Sequence, residues 1–368
     1  MKIGILTFHF GINFGGVLQC YALKSFLEKQ GNDVEIINFV PPGFKYTVWW
    51  KGNEYRQSLP FGLFKAYAKL RYSNKQRAVF GDFVKKYLNL SMPCTIENFP
   101  EVCRNYSAVI VGSDQVWTPS QHYHAAYFLK PLDNFDGRKI SYAPCCARNH
   151  VDSPNVDVLK KCLSDFDSIS ARNLETQQFV RDLTGNDAEL VVDPTLLPDF
   201  KLDTDSVKIT DSRYILVYVL GKEIEGGHRA VIKNIKKTHG DMPVYAIILS
   251  ENKPKLFSWA DRKYMSAGPL EWVELIKKSG FVYTDSFHGL LFALKYKKPF
   301  LAYYAEPDRA SRFLDFAARF DLSRHIVDSY AASVRNNAYD NAPDYKKIDS
   351  LLFEQIDRSV KFLNNALL

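Results

Sequence analysis

The chain has 368 residues, a formal net charge of +7 and 46% hydrophobic residues. This length is too great for one simple core, so two domains are expected. The positive charge favours anionic partners such as phosphorylated substrates or a membrane surface. Lys and Arg are dispersed rather than grouped in a long run, which argues against a nucleic-acid partner. No apolar run reaches the roughly 18 residues of a membrane-spanning helix.

The cysteine pattern does not match the common zinc motifs. None of the six cysteines forms a C-x-x-C pair, and no histidine lies at zinc-ligand spacing from them. The sequence therefore predicts no metal and a reduced, cytoplasmic setting. The first residues, MKIGILTF, are typical of a strand rather than of a signal peptide.

The first elements predict a βαβ unit. Strand Lys2 to Phe8 leads through a glycine-rich loop to an amphipathic helix, Val17 to Gln30, and a second strand, Asp33 to Phe39. The loop contains Gly15 and Gly16 but not G-x-G-x-x-G, so the dinucleotide fingerprint is absent. These glycines either allow a ligand to approach closely or only form a tight turn.

Residues 41–100 differ from the rest and predict an insertion. They are rich in aromatic and basic residues, including Trp49 and Trp50, with helices expected over Leu63 to Leu70 and Gln76 to Leu88. Such a segment could be a lid, an acceptor platform, a membrane-facing surface or ordinary packing.

Polar residues follow the next predicted strand, Ser107 to Gly112, in the run Ser113 to Trp117. In open α/β sheets, the carboxyl end of a strand is a favoured site position. The other elements expected in this first domain, residues 1–197, are strands Lys139 to Ala143, Ser168 to Arg172 and Glu189 to Asp193 and helices Val156 to Leu163 and Leu174 to Leu183.

A polar, Asp-rich segment from Pro198 to about Ser212 predicts the domain boundary. A second α/β series, residues 198–368, follows it. Its expected elements are strands Tyr214 to Leu220 and Val244 to Leu249, helices Ala230 to Thr238, Leu270 to Lys278 and Ser311 to Phe320, and a terminal helix over 345–367.

The stretch Phe281 to Tyr304 in this domain predicts strand, sharp turn, helix and strand. Thr284, Asp285 and Ser286 carry side chains that cap helices, and His288 and Gly289 stand at the turn. Free backbone N–H groups at such a helix N-terminus suit an anion. His288 is therefore a candidate functional residue, with capping or packing as the alternative.

Several segments, in order, resemble the polysaccharide pyruvyl transferase family. They are Asn13-Phe14-Gly15-Gly16, Val111 to Trp117, Ile140 to Ala143, Ser170-Ala171-Arg172, Val192-Asp193-Pro194-Thr195, Thr284 to Gly289 and Ser311-Arg312. The resemblance implies an α/β fold of two Rossmann-like domains around a cleft, like GT-B glycosyltransferases. It also implies phosphoenolpyruvate as donor and transfer of a pyruvate ketal to a sugar hydroxyl pair in bacterial surface-polysaccharide synthesis.

One position departs from the family. Members often carry arginine two residues before the histidine, where this chain has Ser286. Either Arg172, Arg309 or Arg312 supplies the missing cation, or the donor differs.

The chemistry that the resemblance implies needs an acid, a base and anion-binding groups. We hypothesise His288 as the acid, although a helix N-terminus disfavours imidazolium until an anion binds. Arg172 is the first choice for the donor anion and Arg312 the second, with Ser286 and Gly289 beside them. The alternative for Arg172 is a surface arginine or an interdomain ion pair. Asp114 is the candidate base, or a turn residue.

The acceptor side is expected in the first domain. Candidate residues are Asn13, Gly15, Gly16, Gln19, Ser113, Gln115 and Trp117. Asn13 and Gln19 could orient hydroxyls or brace the loop, and Trp117 could stack on a sugar or fill the core. We interpret Asp193 as structural, shaping the turn between the domains.

Two other functions stay open. A nucleotide-sugar glycosyltransferase would have the same architecture, and a non-catalytic scaffold of a glycan-assembly complex is compatible with Ser286. If the acceptor is a lipid-linked oligosaccharide, the insertion could contact the inner membrane surface.

Overall fold

A computed structural model describes residues 1–41, 59–118, 125–146, 156–198, 200–249, 257–340 and 342–368. It has two α/β domains, each built on a parallel sheet. Of the predicted insertion, residues 42–58, which include Trp49 and Trp50, lie outside the described residues.

The first domain contains a five-stranded sheet of order β3-β2-β1-β4-β5 in which every pairing is parallel. A two-stranded parallel sheet, β6-β7, follows. The elements are β1 Lys2–Leu6, α1 Phe14–Lys29, β2 Asp33–Phe39, α2 Leu59–Tyr87, β3 Leu90–Cys94, α3 Phe99–Cys103, β4 Ala108–Val111, β5 Arg138–Ser141, α4 Val156–Ser164, β6 Ser170–Ala171, α5 Leu174–Thr184 and β7 Glu189–Leu190, with short 3-10 helices at Ala125–Phe128, Lys130–Leu132 and Pro194–Leu196.

The second domain contains a six-stranded parallel sheet of order β10-β9-β8-β11-β12-β13. Four of its strands are buried along their whole length, because helices cover both faces of the sheet. The elements are β8 Ile215–Tyr218, α6 His228–His239, β9 Val244–Ile247, β10 Arg262–Tyr264, α7 Pro269–Lys278, β11 Phe281–Thr284, α8 Phe287–Lys295, β12 Phe300–Tyr303, α9 Pro307–Arg319, β13 Ile326–Val327, α10 Tyr330–Arg335 and α11 Tyr345–Leu367.

The structure corrects two expectations for the insertion. The two helices predicted there are one helix, α2, because the residues between them include no proline or glycine to end it. The insertion also contributes β3 to the sheet, so the predicted third strand is the fourth. β3 lies at the sheet edge, where its Pro93 is tolerated.

Aromatic side chains from both domains meet at the interface. Phe14, at the start of α1, stacks on Trp272 of α7 with ring centroids 5.4 Å apart, and both side chains are fully buried. Tyr218, at the end of β8, contacts both rings edge to face. This contact holds the start of α1 against the second domain, which fixes the position of the loop before it.

The terminal helix α11 returns to the first domain. Its Ser359 hydroxyl accepts a hydrogen bond of 2.9 Å from the Val192 N–H, close to β7. Nearer the C-terminus, Gln30 donates to the Asn364 side chain at 2.9 Å. The chain thus crosses between the domains a second time. The two domains are connected both by α11 and by the segment that joins the end of the first domain to the start of the second.

Two global features follow from the described residues. None of the helices there is long and apolar enough to cross a membrane. All six cysteines are buried and free of disulfides.

We predict that Trp272→Ala lowers the free energy of unfolding by about 3–5 kcal/mol, because it removes a fully buried aromatic side chain from the interface. Urea denaturation of the purified variant measures this. Phe353→Ala is the control: that side chain is 73% exposed, so a change within about 0.5 kcal/mol is expected. Equal effects of the two substitutions would contradict the role of the interface.

Candidate active site

The turn between β11 and α8 is fixed by its own side chains. The Ser286 hydroxyl caps α8 by accepting a hydrogen bond from the Gly289 N–H at 3.2 Å. Thr284 accepts one from the Ser286 N–H at 3.0 Å. A Cβ at Gly289 would lie 2.5 Å from the Thr284 hydroxyl, so only glycine fits there. His288 therefore stands in the first helical turn, in one orientation.

His288 contacts the other domain. A Cβ on Gly15, at the start of α1, would lie 2.0 Å from His288 Nδ1, so a glycine is required for this approach. Asn13 caps α1 by accepting a hydrogen bond from the Gly16 N–H at 3.0 Å. Of the predicted acceptor-side residues, Gly15 thus covers His288, which is 8% exposed, while Asn13 and Gly16 form the start of the same helix.

Asp193 lies at the centre of the site and joins the two domains. Its Oδ2 is 3.4 Å from His288 Nε2 and accepts a hydrogen bond of 2.8 Å from Arg172 Nη1. Its Oδ1 accepts hydrogen bonds from the Thr195 N–H and hydroxyl at 3.0 and 2.8 Å. We call Arg172, Asp193 and His288 the ion cluster.

The ion cluster is buried, and its charges depend on one another. Burial acts to raise the pKa of Asp193, but His288, Arg172 and the Thr195 N–H together hold that pKa well below its usual value. Burial likewise acts to lower the pKa of Arg172, yet its acidic neighbours, including Asp193 and Asp114, hold it above its usual value. Both residues are therefore ionised near neutral pH.

Asp193 is the site residue that the sequence reasoning missed. It was interpreted as shaping the interdomain turn, and it does cap the 3-10 helix Pro194–Leu196. The local signal, an Asp before Pro, is fully explained by that cap. Its contact with His288 and Arg172 depends on tertiary packing, which no sequence spacing reveals.

The guanidinium of Arg172 can still donate a hydrogen bond to a ligand. Its Nη2 lies 3.4 Å from Asp114 Oδ1, and the guanidinium lies 5.2 Å from the centre of the Phe287 ring. Its Nε is buried and has no hydrogen-bond partner among the described residues. The side chain is 4% exposed, so an unmet donor here is costly unless a ligand accepts from it.

A second guanidinium contacts the same aromatic ring. Arg312, on α9, lies 5.7 Å from the Phe287 ring centre, and its buried Nε also lacks a partner in the described part of the chain. Burial lowers the pKa of Arg312 to about 10. Arg309 differs, since it pairs with Asp285 at 3.0 Å. Of these two α9 arginines, Arg312 is the one without an acidic partner among the described residues.

Gln19 and Ser113 brace the loops around the ion cluster. Gln19 accepts a hydrogen bond from the Ser113 N–H at 3.1 Å and donates to Thr7 Oγ1 and the Gly16 carbonyl, each at 2.9 Å. Ser113 Oγ donates to the Ala143 carbonyl at 2.8 Å and lies 3.5 Å from Asp193 Oδ2. Both side chains therefore form their hydrogen bonds within the protein.

The remaining predicted residues lie in the turn after β4. Asp114 has a left-handed backbone (φ 76°) and a buried carboxylate that faces Arg172, so it belongs beside the ion cluster. Gln115 is half-buried in the same turn. Trp117 lies in the core, where its indole N–H donates to the Tyr127 carbonyl at 2.9 Å and its ring stacks on Phe128. It presents no exposed face to an acceptor.

The described residues contain no group of three or more His, Cys, Asp or Glu side chains arranged to hold a metal ion. The site contains two arginines, a histidine, two carboxylates and a helix N-terminus. That set can bind an anion, transfer a proton and hold a hydroxyl group.

Several solved structures have a fold similar to that of this chain. A candidate UDP-N-acetylglucosamine 2-epimerase from Listeria monocytogenes is 12% identical with a TM-score of 0.55, covering 99% of this chain and 94% of that chain. Arabidopsis thaliana UGT89C1 complexed with UDP-L-rhamnose is 11% identical with a TM-score of 0.53, covering 100% and 98%. MnaA of S. aureus with UDP is 14% identical with a TM-score of 0.51, covering 99% and 97%. At these identities the likeness shows the fold alone, which is the predicted GT-B-like arrangement.

The family model for polysaccharide pyruvyl transferase matches residues 13–306. The chain belongs to this transferase family, as the sequence motifs predicted. The matched range includes the ion cluster and the Asn13 to Gly16 loop. A search of curated proteins found no match.

We predict that Asp193→Asn lowers the free energy of unfolding at neutral pH by about 3–5 kcal/mol, because it leaves Arg172 buried without its main partner. Asp187→Asn is the matched control: it breaks only an exposed, solvent-screened pair with Arg181, so a much smaller change is expected.

The Asp193→Asn effect should also depend on pH. The folded-state pKa of Asp193 is lowered, so its stabilisation is present above the unfolded value of about 3.9 and is lost as pH falls below it. The stability difference between wild type and Asp193→Asn should therefore shrink on acidification below about pH 4. A pH-independent difference in denaturation experiments would show that Asp193 carries no charge in the folded protein.

Proposed function

We propose that this protein transfers the enolpyruvyl group of phosphoenolpyruvate to a hydroxyl pair of a sugar, forming a pyruvate ketal for a bacterial surface polysaccharide. The observation that carries the proposal is the position of His288 at a helix N-terminus in the ion cluster with Arg172, with Arg312 against the ring of the preceding residue, Phe287. Family membership supports pyruvyl transfer in general. The donor and the acceptor named here are part of the proposal.

Arg172 and Arg312 are suited to bind the donor. Phosphoenolpyruvate carries a phosphate and a carboxylate, and guanidinium groups bind both in a bidentate manner. Each arginine has a buried Nε without a partner among the described residues. The family arginine replaced by Ser286 is thus compensated by Arg312, while Ser286 itself is used to cap α8.

His288 is suited to protonate the donor. Its proton goes to the methylene carbon of phosphoenolpyruvate, which becomes a methyl group as positive charge develops at the adjacent carbon. One sugar hydroxyl attacks that carbon, and the second hydroxyl then displaces phosphate. The proton of the attacking hydroxyl goes to the candidate base Asp114 and from there to solvent, and the proton of the second hydroxyl leaves with the phosphate. The imidazole regains its proton from solvent, so the reaction is balanced without a cofactor.

Two carboxylates complete the chemistry. Asp193 contacts His288 Nε2 and so holds the imidazole beside the donor-binding arginine Arg172. Asp114, at the carboxyl end of β4, is the proposed base for the attacking hydroxyl, and its pairing with Arg172 couples the base to the donor site. The acceptor then approaches from the first domain, near Asn13, Gly15 and Gly16.

The acceptor is a sugar or a lipid-linked oligosaccharide. The enzyme would act in the cytoplasm, with peripheral contact at the inner face of the plasma membrane if the acceptor is lipid-linked. The solved structures of similar fold keep a nucleotide sugar as the alternative donor, so nucleotide sugars belong in the same assay.

We predict that His288→Gln lowers the rate of phosphate release from phosphoenolpyruvate by about 10²–10⁴-fold with a panel of sugar acceptors, since it removes the proton donor. His239→Gln is the control. His239 ends α6, near the amino ends of the strands, whereas His288 follows the carboxyl end of β11. The control should therefore keep wild-type turnover. Full turnover by His288→Gln would refute the assigned role, and turnover only with nucleotide sugars would replace the proposed donor.

We also predict that Arg312→Gln weakens phosphoenolpyruvate binding by roughly 10- to 100-fold, the loss of one charge-assisted contact. Isothermal titration calorimetry measures the affinity directly. Arg335→Gln, which removes an exposed arginine at the end of α10, should leave it unchanged. Unaltered binding in Arg312→Gln would mean that this arginine does not replace the family cation.

A further inference from the structure

A cavity lies between the domains, and none of the residues that line it belongs to the ion cluster. Its volume is about 630 Å³, within the range of small-molecule sites. One wall is a face of α2 from the first domain. The other wall is β10, the turn after it and the start of α7, all from the second domain.

The two walls are in close contact at one point. A Cβ on Gly268, in the turn after β10, would lie 2.1 Å from a methyl carbon of Val79 on α2. The glycine allows α2 to pack directly against the turn. The cavity is therefore formed only when the two domains are together.

The cavity is rich in cationic side chains. Lys75 and Lys86 project from α2, and Lys263 projects from β10. These three lysines are exposed and have no acidic partner within 4 Å among the described residues. Arg262 is different, because it is paired with Asp211 at 3.2 Å and lies over the Tyr264 ring. The lysines supply positive charge for a phosphate group.

Aromatic and acidic side chains complete the lining. Phe83, Tyr87 and Tyr264 provide ring faces, and the Tyr264 hydroxyl is buried without a hydrogen-bond partner among the described residues. Asp82 and Glu271 add carboxylates that can accept from sugar hydroxyls. Rings, carboxylates and an unmet hydroxyl suit a saccharide, whereas the lysines suit an anion attached to it.

The cavity and His288 both lie at the carboxyl ends of the strands in the second domain's sheet. The turn after β10 and the start of α8 both follow the carboxyl ends of parallel strands. In the sheet, β10 is separated from β11 by β9 and β8, which is three strand spacings or roughly 14 Å. The cavity therefore lies on the same side of the sheet as His288 but about three strands away from it.

We propose that this cavity binds a phosphorylated saccharide, with the phosphate on Lys75, Lys86 and Lys263 and the sugar against Tyr87 and Tyr264. The identification of this ligand as the phosphorylated end of the acceptor rests on the proposed function. The existence of the site rests only on the cavity and its lining.

The test uses isothermal titration calorimetry on the full-length protein with glucose 1-phosphate as probe, and glucose and inorganic phosphate as separate arms. The double variant Lys75→Gln/Lys86→Gln should bind glucose 1-phosphate at least about tenfold more weakly, since charge-assisted contacts are lost. Lys85→Gln is the matched control, because Lys85 is exposed on α2 but does not line the cavity. Tyr264→Phe should weaken binding a few-fold by removing one hydroxyl.

A parallel titration with saturating phosphoenolpyruvate separates this site from the donor site. Unchanged binding of glucose 1-phosphate would support a distinct site, and competition would overturn the proposal. Equal affinity in wild type and the double variant, or no binding to the wild type, would overturn it too. If glucose 1-phosphate binds but phosphoenolpyruvate does not, the cavity proposal stands and the proposed function fails.

Discussion

The carboxylate of Asp193 is the constraint on which the site depends. It is 2% exposed and contacts Arg172 of the first domain and His288 of the second. Burying such charges costs solvation free energy that their mutual attraction only partly offsets, so a buried ion pair is weak evidence for added stability. Its clearer consequence is geometric, because it holds an imidazole and a guanidinium together in a low-dielectric site.

Other contacts between the domains hold Asp193, Arg172 and His288 in position. Phe14 stacks on Trp272 across the interface. Gly15, the next residue, therefore packs closely against His288. Helix α11 returns to bind the backbone at Val192, next to Asp193. The site is therefore a property of the two domains together. Arg312 on α9, whose buried Nε has no hydrogen-bond partner among the described residues, adds a guanidinium that can bind an anion.

Local patterns in the sequence predicted much of the fold but not how the site is assembled. The unit from Phe281 to Tyr304 was recognisable because an apolar strand, a capping residue and a helical apolar face follow each other, and it forms β11, α8 and β12. His288 and Arg172 were each identified from their position at a strand end. Asp193 was missed since its local role as a cap hides a tertiary one. β3 was missed because its Pro93 and polar residues are tolerated only at a sheet edge.

The central claim is that phosphoenolpyruvate binds at the ion cluster and that His288 is protonated as it does so. Isothermal titration calorimetry of phosphoenolpyruvate binding, in two buffers of different ionisation enthalpy near neutral pH, measures the protons taken up. We expect proton uptake on binding by the wild type and none in His288→Gln. Uptake that is unchanged in the variant, or the absence of binding to the wild type, would contradict the account.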